Sequence, residues 1–197
     1  MNIQYKKPKV FFDFGKVCDT ETLLNEINNI YSNKYIYKGD RISNTWSGIP
    51  LININGDTTV IGLRRKINEL PRNDYKYTDF LKESKNLQDL IKKTEKHLNS
   101  KCFFARLLKL EKKGHIKEHK DGEMFNKTKY RFHIMLTKSS PKIWMNINGD
   151  RYYMKSGYLY NTDVSYIHSV TNQTNYDRIN LHMDFHPSEK IKNFIED

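Results

Sequence analysis

Two metal-binding residue types stand two positions apart at His119-Lys120-Asp121. On an extended segment, side chains at i and i+2 leave the same face. One imidazole and one carboxylate can then reach a single ion. A third ligand has to come from elsewhere in the chain. The candidate is His168, at the end of the strand-like run Val164-Ser165-Tyr166-Ile167-His168. Two imidazoles and one carboxylate on one face of an ion leave further positions open, the arrangement of non-haem Fe(II) oxygenases. Zinc takes the same donors, but a zinc hydrolase needs a positioned general base and has no evident use for Arg178. That arginine follows in Tyr176-Asp177-Arg178-Ile179-Asn180-Leu181. A fixed guanidinium beside such an ion suits a dicarboxylate held through two parallel hydrogen bonds.

Taken singly, His119 and Asp121 read as surface residues and His168 as a satisfied buried imidazole. Their order along the chain adds information. Arg106-Leu107-Leu108-Lys109-Leu110 with Gly114 precedes His119-Lys120-Asp121, and Arg131-Phe132-His133-Ile134-Met135-Leu136 comes next. His168-Ser169-Val170-Thr171-Asn172 with Asp177-Arg178, and then Asp184-Phe185-His186-Pro187, close the series. In this order, over about residues 101–187, the blocks resemble the aspartyl/asparaginyl β-hydroxylase family. They also resemble the proline cis-4-hydroxylases, which act on a free amino acid.

The resemblance implies a double-stranded β-helix, the cupin-like jelly roll. It implies hydroxylation that uses Fe(II), 2-oxoglutarate and O2 and releases succinate and CO2. His119, Asp121 and His168 would be both metal ligands and catalytic residues, and Arg178 would hold the distal carboxylate of 2-oxoglutarate. Arg131 and His133 match the family's R-x-H strand and would contact the cosubstrate or an acidic group of the substrate. As bare chemistry, an arginine inside a barrel has to be paired, and either an anionic ligand or an internal ion pair would serve. His182 and His186 are weaker candidates, and a structural role suits them equally. Some relatives lack the carboxylate ligand. This chain keeps Asp121, which sets it nearer the members with a full triad.

The elements that position these residues read as strands with helices outside. The expected class is mainly β with flanking helices (α+β), as one domain over 1–197. Within it, 1–100 would pack on a jelly-roll core at 101–187. Val10–Phe14 reads as a strand, and Asp19-Thr20 caps a helix over about 21–32 with Leu23, Leu24, Ile27 and Ile30 at helical spacing. Trp46–Ile54 reads as a strand, Asn55-Gly56-Asp57 as a turn and Thr58–Ile61 as the returning strand. Residues 77–99 form one helix with an apolar stripe from Phe80 to Leu98. From 102 onward short strands alternate with turns, including the hairpin signal Asn148-Gly149-Asp150. A strand is expected over Val164–Val170, another over Ile179–Phe185 and a short helix from Ser188. Trp46 and Arg64, ahead of the core, are candidates for substrate contact. Without that role they are a packed aromatic and a solvated charge.

The formal charge of +11 is spread along the chain without a basic tail. That reads as a compositional bias of a solvated surface, so nucleic acid is not the favoured partner. Two cysteines and no signal peptide favour a reducing, cytoplasmic setting, and no apolar run approaches a membrane span. The function expected is hydroxylation of an amino acid, free or in a peptide. The alternative is a non-catalytic cupin-like module whose basic surface holds nucleic acid or a protein.

Overall fold

The computed structural model describes residues 9–37, 43–59, 75–121 and 128–196. Arg64 falls outside these residues. In chain order the elements are β1 (Phe11–Lys16), α1 (Glu21–Tyr31), β2 (Ile36–Tyr37), β3 (Trp46–Ile54), β4 (Tyr75–Tyr77), α2 (Asp79–Lys82) and α3 (Lys85–Leu98). There follow β5 (Cys102–Leu110), β6 (His115–His119), β7 (Tyr130–Met135), β8 (Ile143–Ile147), β9 (Asp150–Tyr152), β10 (Tyr158–Thr162), β11 (His168–Asn172), β12 (Arg178–Phe185) and α4 (Glu189–Glu196).

The strands form two antiparallel sheets. The larger has the order β1-β10-β7-β12-β5-β3-β2, with β4 added beside β3, and the smaller has the order β6-β11-β8-β9. The architecture is the jelly roll of a double-stranded β-helix. The strands of the first hundred residues extend the large sheet itself, since β3 pairs with β5 and β1 with β10.

Alternation on the large sheet separates two environments. Phe132 and Ile134 of β7, Leu107 of β5, and Ile179, Leu181, Met183 and Phe185 of β12 belong to the apolar cluster that includes Leu23 and Ile27 of α1 and Leu87, Ile91 and Leu98 of α3. The other face carries Arg106, Leu108 and Leu110 of β5, Arg131 and His133 of β7, and Arg178, Asn180 and His182 of β12, which line a cavity. A second apolar cluster, with Trp46, Leu110, Met135, Met145, Ile147 and Val170, fills the remaining space. Each fully buried aliphatic or aromatic side chain on the helix side contributes roughly 1.5–3 kcal/mol.

Three expectations change. The helix expected over 77–99 is two helices, because Ser84 leaves helical geometry (φ −116°, ψ 105°) and its hydroxyl accepts the Leu87 amide. Thr78 caps α2 in the same way, accepting from the Leu81 amide. An N-cap that satisfies an orphan amide outcompetes a continuous helix. Thr58 and Thr59 lie in no strand, and Val60 and Ile61 fall outside the described residues; the antiparallel partner of Ile52–Ile54 is Tyr75–Tyr77. The strand expected over Val164–Val170 begins only at His168. Asp163 Oδ1 accepts from the amide and the hydroxyl of Ser165 and folds the preceding residues into a turn.

Gly114 directs the chain into β6. A Cβ there would lie 2.7 Å from the Glu111 carbonyl oxygen and 2.9 Å from Thr45 Oγ1, so no side chain fits. Buried Asn172 ties the same corner to the approach of β12, since its amide donates to the Leu110, Glu111 and Tyr176 carbonyls.

Phe132 has no exposed surface and packs edge-on against Phe14 and Phe185. Phe132→Ala should therefore lower the unfolding free energy by roughly 3–5 kcal/mol, read as a shift of the urea midpoint. A shift under 1 kcal/mol would mean that the helix-facing side of the large sheet is not the main core.

Candidate metal centre

His119 and His168 are register partners on the adjacent strands β6 and β11. Their ring centroids are 4.2 Å apart. Asp121 follows β6 directly, and its backbone amide donates to the Val164 carbonyl. The turn at 163–166 thus fixes where the carboxylate leaves the strand. One donor atom from each of His119, Asp121 and His168 lies within 4.8 Å of the others.

The two imidazoles are held by the same local device. His119 Nδ1 lies 2.7 Å from the Lys117 carbonyl oxygen, and His168 Nδ1 lies 3.0 Å from that of Tyr166. A carbonyl only accepts, so each Nδ1 carries a hydrogen, which leaves Nε2 as the ring atom that can bind an ion. Burial pushes His168 down to about 4, so it is neutral at physiological pH. Burial works against the charged form of His119 as well, but hydrogen bonds to Asp121 and the Lys117 carbonyl outweigh it and raise its pKa. Burial would raise Asp121, yet Arg131 and then His119 hold its carboxyl well below the usual range. Two imidazoles that can each offer Nε2 and an ionised carboxylate are a donor set for a borderline divalent ion, whose binding would displace the proton that His119 shares with Asp121, so these residues fit one.

While His186 lies against Phe103, the leading described candidates meet in one cavity of about 200 Å³. His119, Asp121, His168, Arg131, His133, Arg178 and Trp46 all line it. Sequence reasoning did not assign Arg106 or Asn180 to the site and ranked His182 low; these also line the cavity. The available signal was alternation along β5 and β12, which puts them on the same face as Arg178.

The cavity divides into a satisfied part and an open part. Near Asp121, Arg131 donates through Nε and Nη2 to the two oxygens of buried Asp184, at 2.9 and 3.0 Å, and through Nη1 to Asp121. The expectation of an anionic ligand on Arg131 thus meets an internal ion pair, because three of its nitrogens are committed to carboxylates. Farther along β12 lies Arg178, 6% exposed. Among the described residues its guanidinium meets the Met154 thioether at 3.8 Å and no carboxylate. Burial alone lowers it to about 10. Beside it on the strand, Asn180 Nδ2 donates to His133 Nδ1 at 2.9 Å, which leaves the ring hydrogen of His133 on Nε2. Among the described residues that Nε2 is buried without a partner, as is Asn180 Oδ1. An unpaired cation and an unpaired donor facing one cavity are costly unless a ligand completes them.

The family's sequence model for aspartyl/asparaginyl β-hydroxylase matches residues 18–187. The chain belongs to this family. No curated protein matches it significantly in sequence. Solved structures show the shared fold. A non-haem α-ketoglutarate-dependent epimerase, SnoN of nogalamycin biosynthesis, is similar at a TM-score of 0.60 and 11% identity, covering 89% of this chain and 78% of that one. The viral collagen prolyl hydroxylase of Paramecium bursaria chlorella virus 1, in complex with 2-oxoglutarate, gives 0.54 and 10%, covering 91% and 97%. A 2-oxoglutarate–Fe(II) oxygenase family oxidoreductase of Burkholderia pseudomallei gives 0.53 and 10%, covering 84% and 79%. At such identities the likeness is one of fold.

In this family member, two further buried histidines record how dry the cavity wall is. His182 Nδ1 accepts from Arg106 Nε and its Nε2 donates to Asp184, each at 3.3 Å, a pattern only the neutral ring can make. Burial, with Arg131 and Arg106 nearby, pushes His182 down to about 3, and burial with the neighbouring His182 pushes His133 well below its usual value. In the unfolded chain both titrate near about 6.5. Between those values the unfolded state binds more protons, so this stability is whole above pH ~6.5 and is lost as pH falls toward ~3. With His168, which burial likewise lowers, three such groups give a slope of about 4 kcal/mol per pH unit near pH ~5 in the metal-free protein. Urea titrations between pH ~6 and ~4.5 should show it, and His182→Gln should lower the slope by about a third. A flat profile would mean these rings are protonated in the folded chain.

Proposed function

We propose that the protein is an Fe(II)- and 2-oxoglutarate-dependent oxygenase that hydroxylates an amino acid, free or within a peptide. One observation carries the reading: the donor atoms of His119, Asp121 and His168 share a cavity with a buried arginine that has no carboxylate partner among the described residues. A metal site alone would be ambiguous between ions. A separate, unneutralised guanidinium in the same cavity calls for an anion.

In this reading His119, Asp121 and His168 hold the iron through two Nε2 atoms and one carboxylate oxygen. The bound iron supplies the oxidative chemistry, with O2 and 2-oxoglutarate consumed and succinate and CO2 released. The chain's own residues do the positioning. Arg178 pairs with the distal carboxylate, and the Nε2–H of His133 donates a second hydrogen bond to the same anion. Leu110, Met145 and Val170 keep water from the space between them. Trp46, buried at the cavity wall, bounds the substrate's room. No described helix is long and apolar enough to cross a membrane.

The deciding experiment is a turnover screen of free amino acids and short peptides with Fe(II), 2-oxoglutarate and O2. It reads succinate and a mass gain of one oxygen in the substrate. Succinate formation that is indifferent to iron would defeat the proposal.

Two variants resolve the parts. His168→Ala should abolish stoichiometric Fe(II) binding while the fold persists, and undiminished affinity would end its assignment as a ligand. Arg178→Ala should raise the 2-oxoglutarate requirement well over tenfold with Fe(II) binding nearly intact, since losing one partner of a buried charge pair costs roughly 2–5 kcal/mol. Arg178→Lys should fall between, because a point charge replaces a fork. Unchanged 2-oxoglutarate affinity in Arg178→Ala would make Arg178 structural.

A further inference from the structure

Asp121 faces the histidines with one oxygen only. Its Oδ1 lies 3.4 Å from His119 Nε2, while Oδ2 accepts from Arg131 Nη1. Arg131 is itself immobilised. Asp184 stands directly opposite it in the β7–β12 register, has no exposed surface and takes the other edge of the guanidinium through both carboxylate oxygens. Asp184 is held in turn by His182, whose far nitrogen accepts from Arg106 on β5. A line of buried polar contacts therefore runs from β5 across β12 and β7 to the carboxylate.

We propose that Arg131, locked by Asp184, is a positioning residue for Asp121. It keeps Oδ2 turned away so that Asp121 offers a single oxygen to the ion that His119 and His168 face. This rests on the reading of those three residues as metal ligands. A carboxylate can meet an ion through one oxygen or two. A planar guanidinium anchored along one edge leaves its remaining N–H in a fixed direction, so it selects one of those modes. Partners behind the ligands of metal sites commonly orient them in this way. The clamp acts by geometry rather than by charge: Arg131 and Asp184 cancel, so the trio carries the same net −1 as Asp121 alone. It also gives a use to an ion pair that the binding of a cosubstrate by Arg178 leaves unexplained.

The test uses the full chain, stripped of metal, with Mn(II) as the affinity probe and Co(II) as the spectroscopic one. The double variant Arg131→Met/Asp184→Asn removes both buried charges together, and the amide oxygen at 184 still accepts from His182. It should remain folded by near-ultraviolet circular dichroism. It should bind Mn(II) about 10–100-fold more weakly, with an altered visible Co(II) spectrum as Asp121 rotates. Asp184→Asn alone, which keeps Arg131 but loosens its grip, should give a smaller loss and the same direction of spectral change. Mn(II) affinity within twofold of the parent and an unchanged Co(II) spectrum in the double variant would overturn the proposal. So would a loss of affinity that appears only together with loss of the near-ultraviolet signal, which would make the pair structural. If the parent itself takes up no Mn(II), the ligand reading fails and this inference with it. Binding by the parent that the variants retain overturns this inference alone.

Discussion

The structure depends on a strand that is buried on both faces. All eight residues of β12 are buried. Its odd positions from Ile179 to Phe185 are apolar and meet the cluster built with α1 and α3. Its even positions, Arg178, Asn180, His182 and Asp184, turn polar and ionisable groups into the interior. The first face is stabilising by simple burial. The second would unfold the protein if its groups were left without partners, because a desolvated charge costs far more than a buried methylene returns. The rest of the molecule is arranged around resolving that conflict, and β5 and β7 flank β12 because they bring the complementary groups.

The resolution is incomplete, and its limit marks the site. At the Asp184 end every strong charge is answered: Asp184 takes Arg131, Arg131 reaches Asp121, and His182 bridges Asp184 to Arg106. At the Arg178 end the answers stop. Among the described residues a guanidinium that meets a thioether and no carboxylate shares the cavity with an imidazole N–H and an amide oxygen that have no partner. A core designed only for stability would have closed this end with a carboxylate or replaced the arginine. The unpaired groups are therefore better explained by a ligand than by the fold.

Much of this was legible in the sequence because the relevant rules are local. Strand alternation placed Arg131 with His133, and His119 with Asp121, on common faces. The Asn148-Gly149 hairpin and the Asn55-Gly56 turn follow from residues that accept positive φ. The misread elements were decided by single side chains acting against a continuous pattern. Ser84 interrupted an otherwise helical stripe, and Asp163 converted an apolar run into a turn. The antiparallel partner of Ile52–Ile54 was misplaced because pairing is a long-range choice that β propensity does not encode. The same reason hid the partner of Arg131. Asp184 lies 53 positions away, and only the β7–β12 register brings the two together.

The three candidate ligands therefore differ in how they are aimed. Each imidazole is oriented from within its own segment, by the carbonyl two residues earlier, at Lys117 and at Tyr166. Such a contact needs only the local backbone, so its geometry travels with the strand wherever it is placed. Pairing β6 with β11 in the observed register is then enough to bring the two Nε2 atoms to one point. The carboxylate has no such local device. Asp121 lies beyond the end of β6, is anchored by its amide to the Val164 carbonyl, and takes its side-chain direction from Arg131 on another sheet. The two histidines are thus set by secondary structure and the aspartate by tertiary structure. Any distortion that separates the two sheets should disturb the carboxylate before it disturbs the imidazoles.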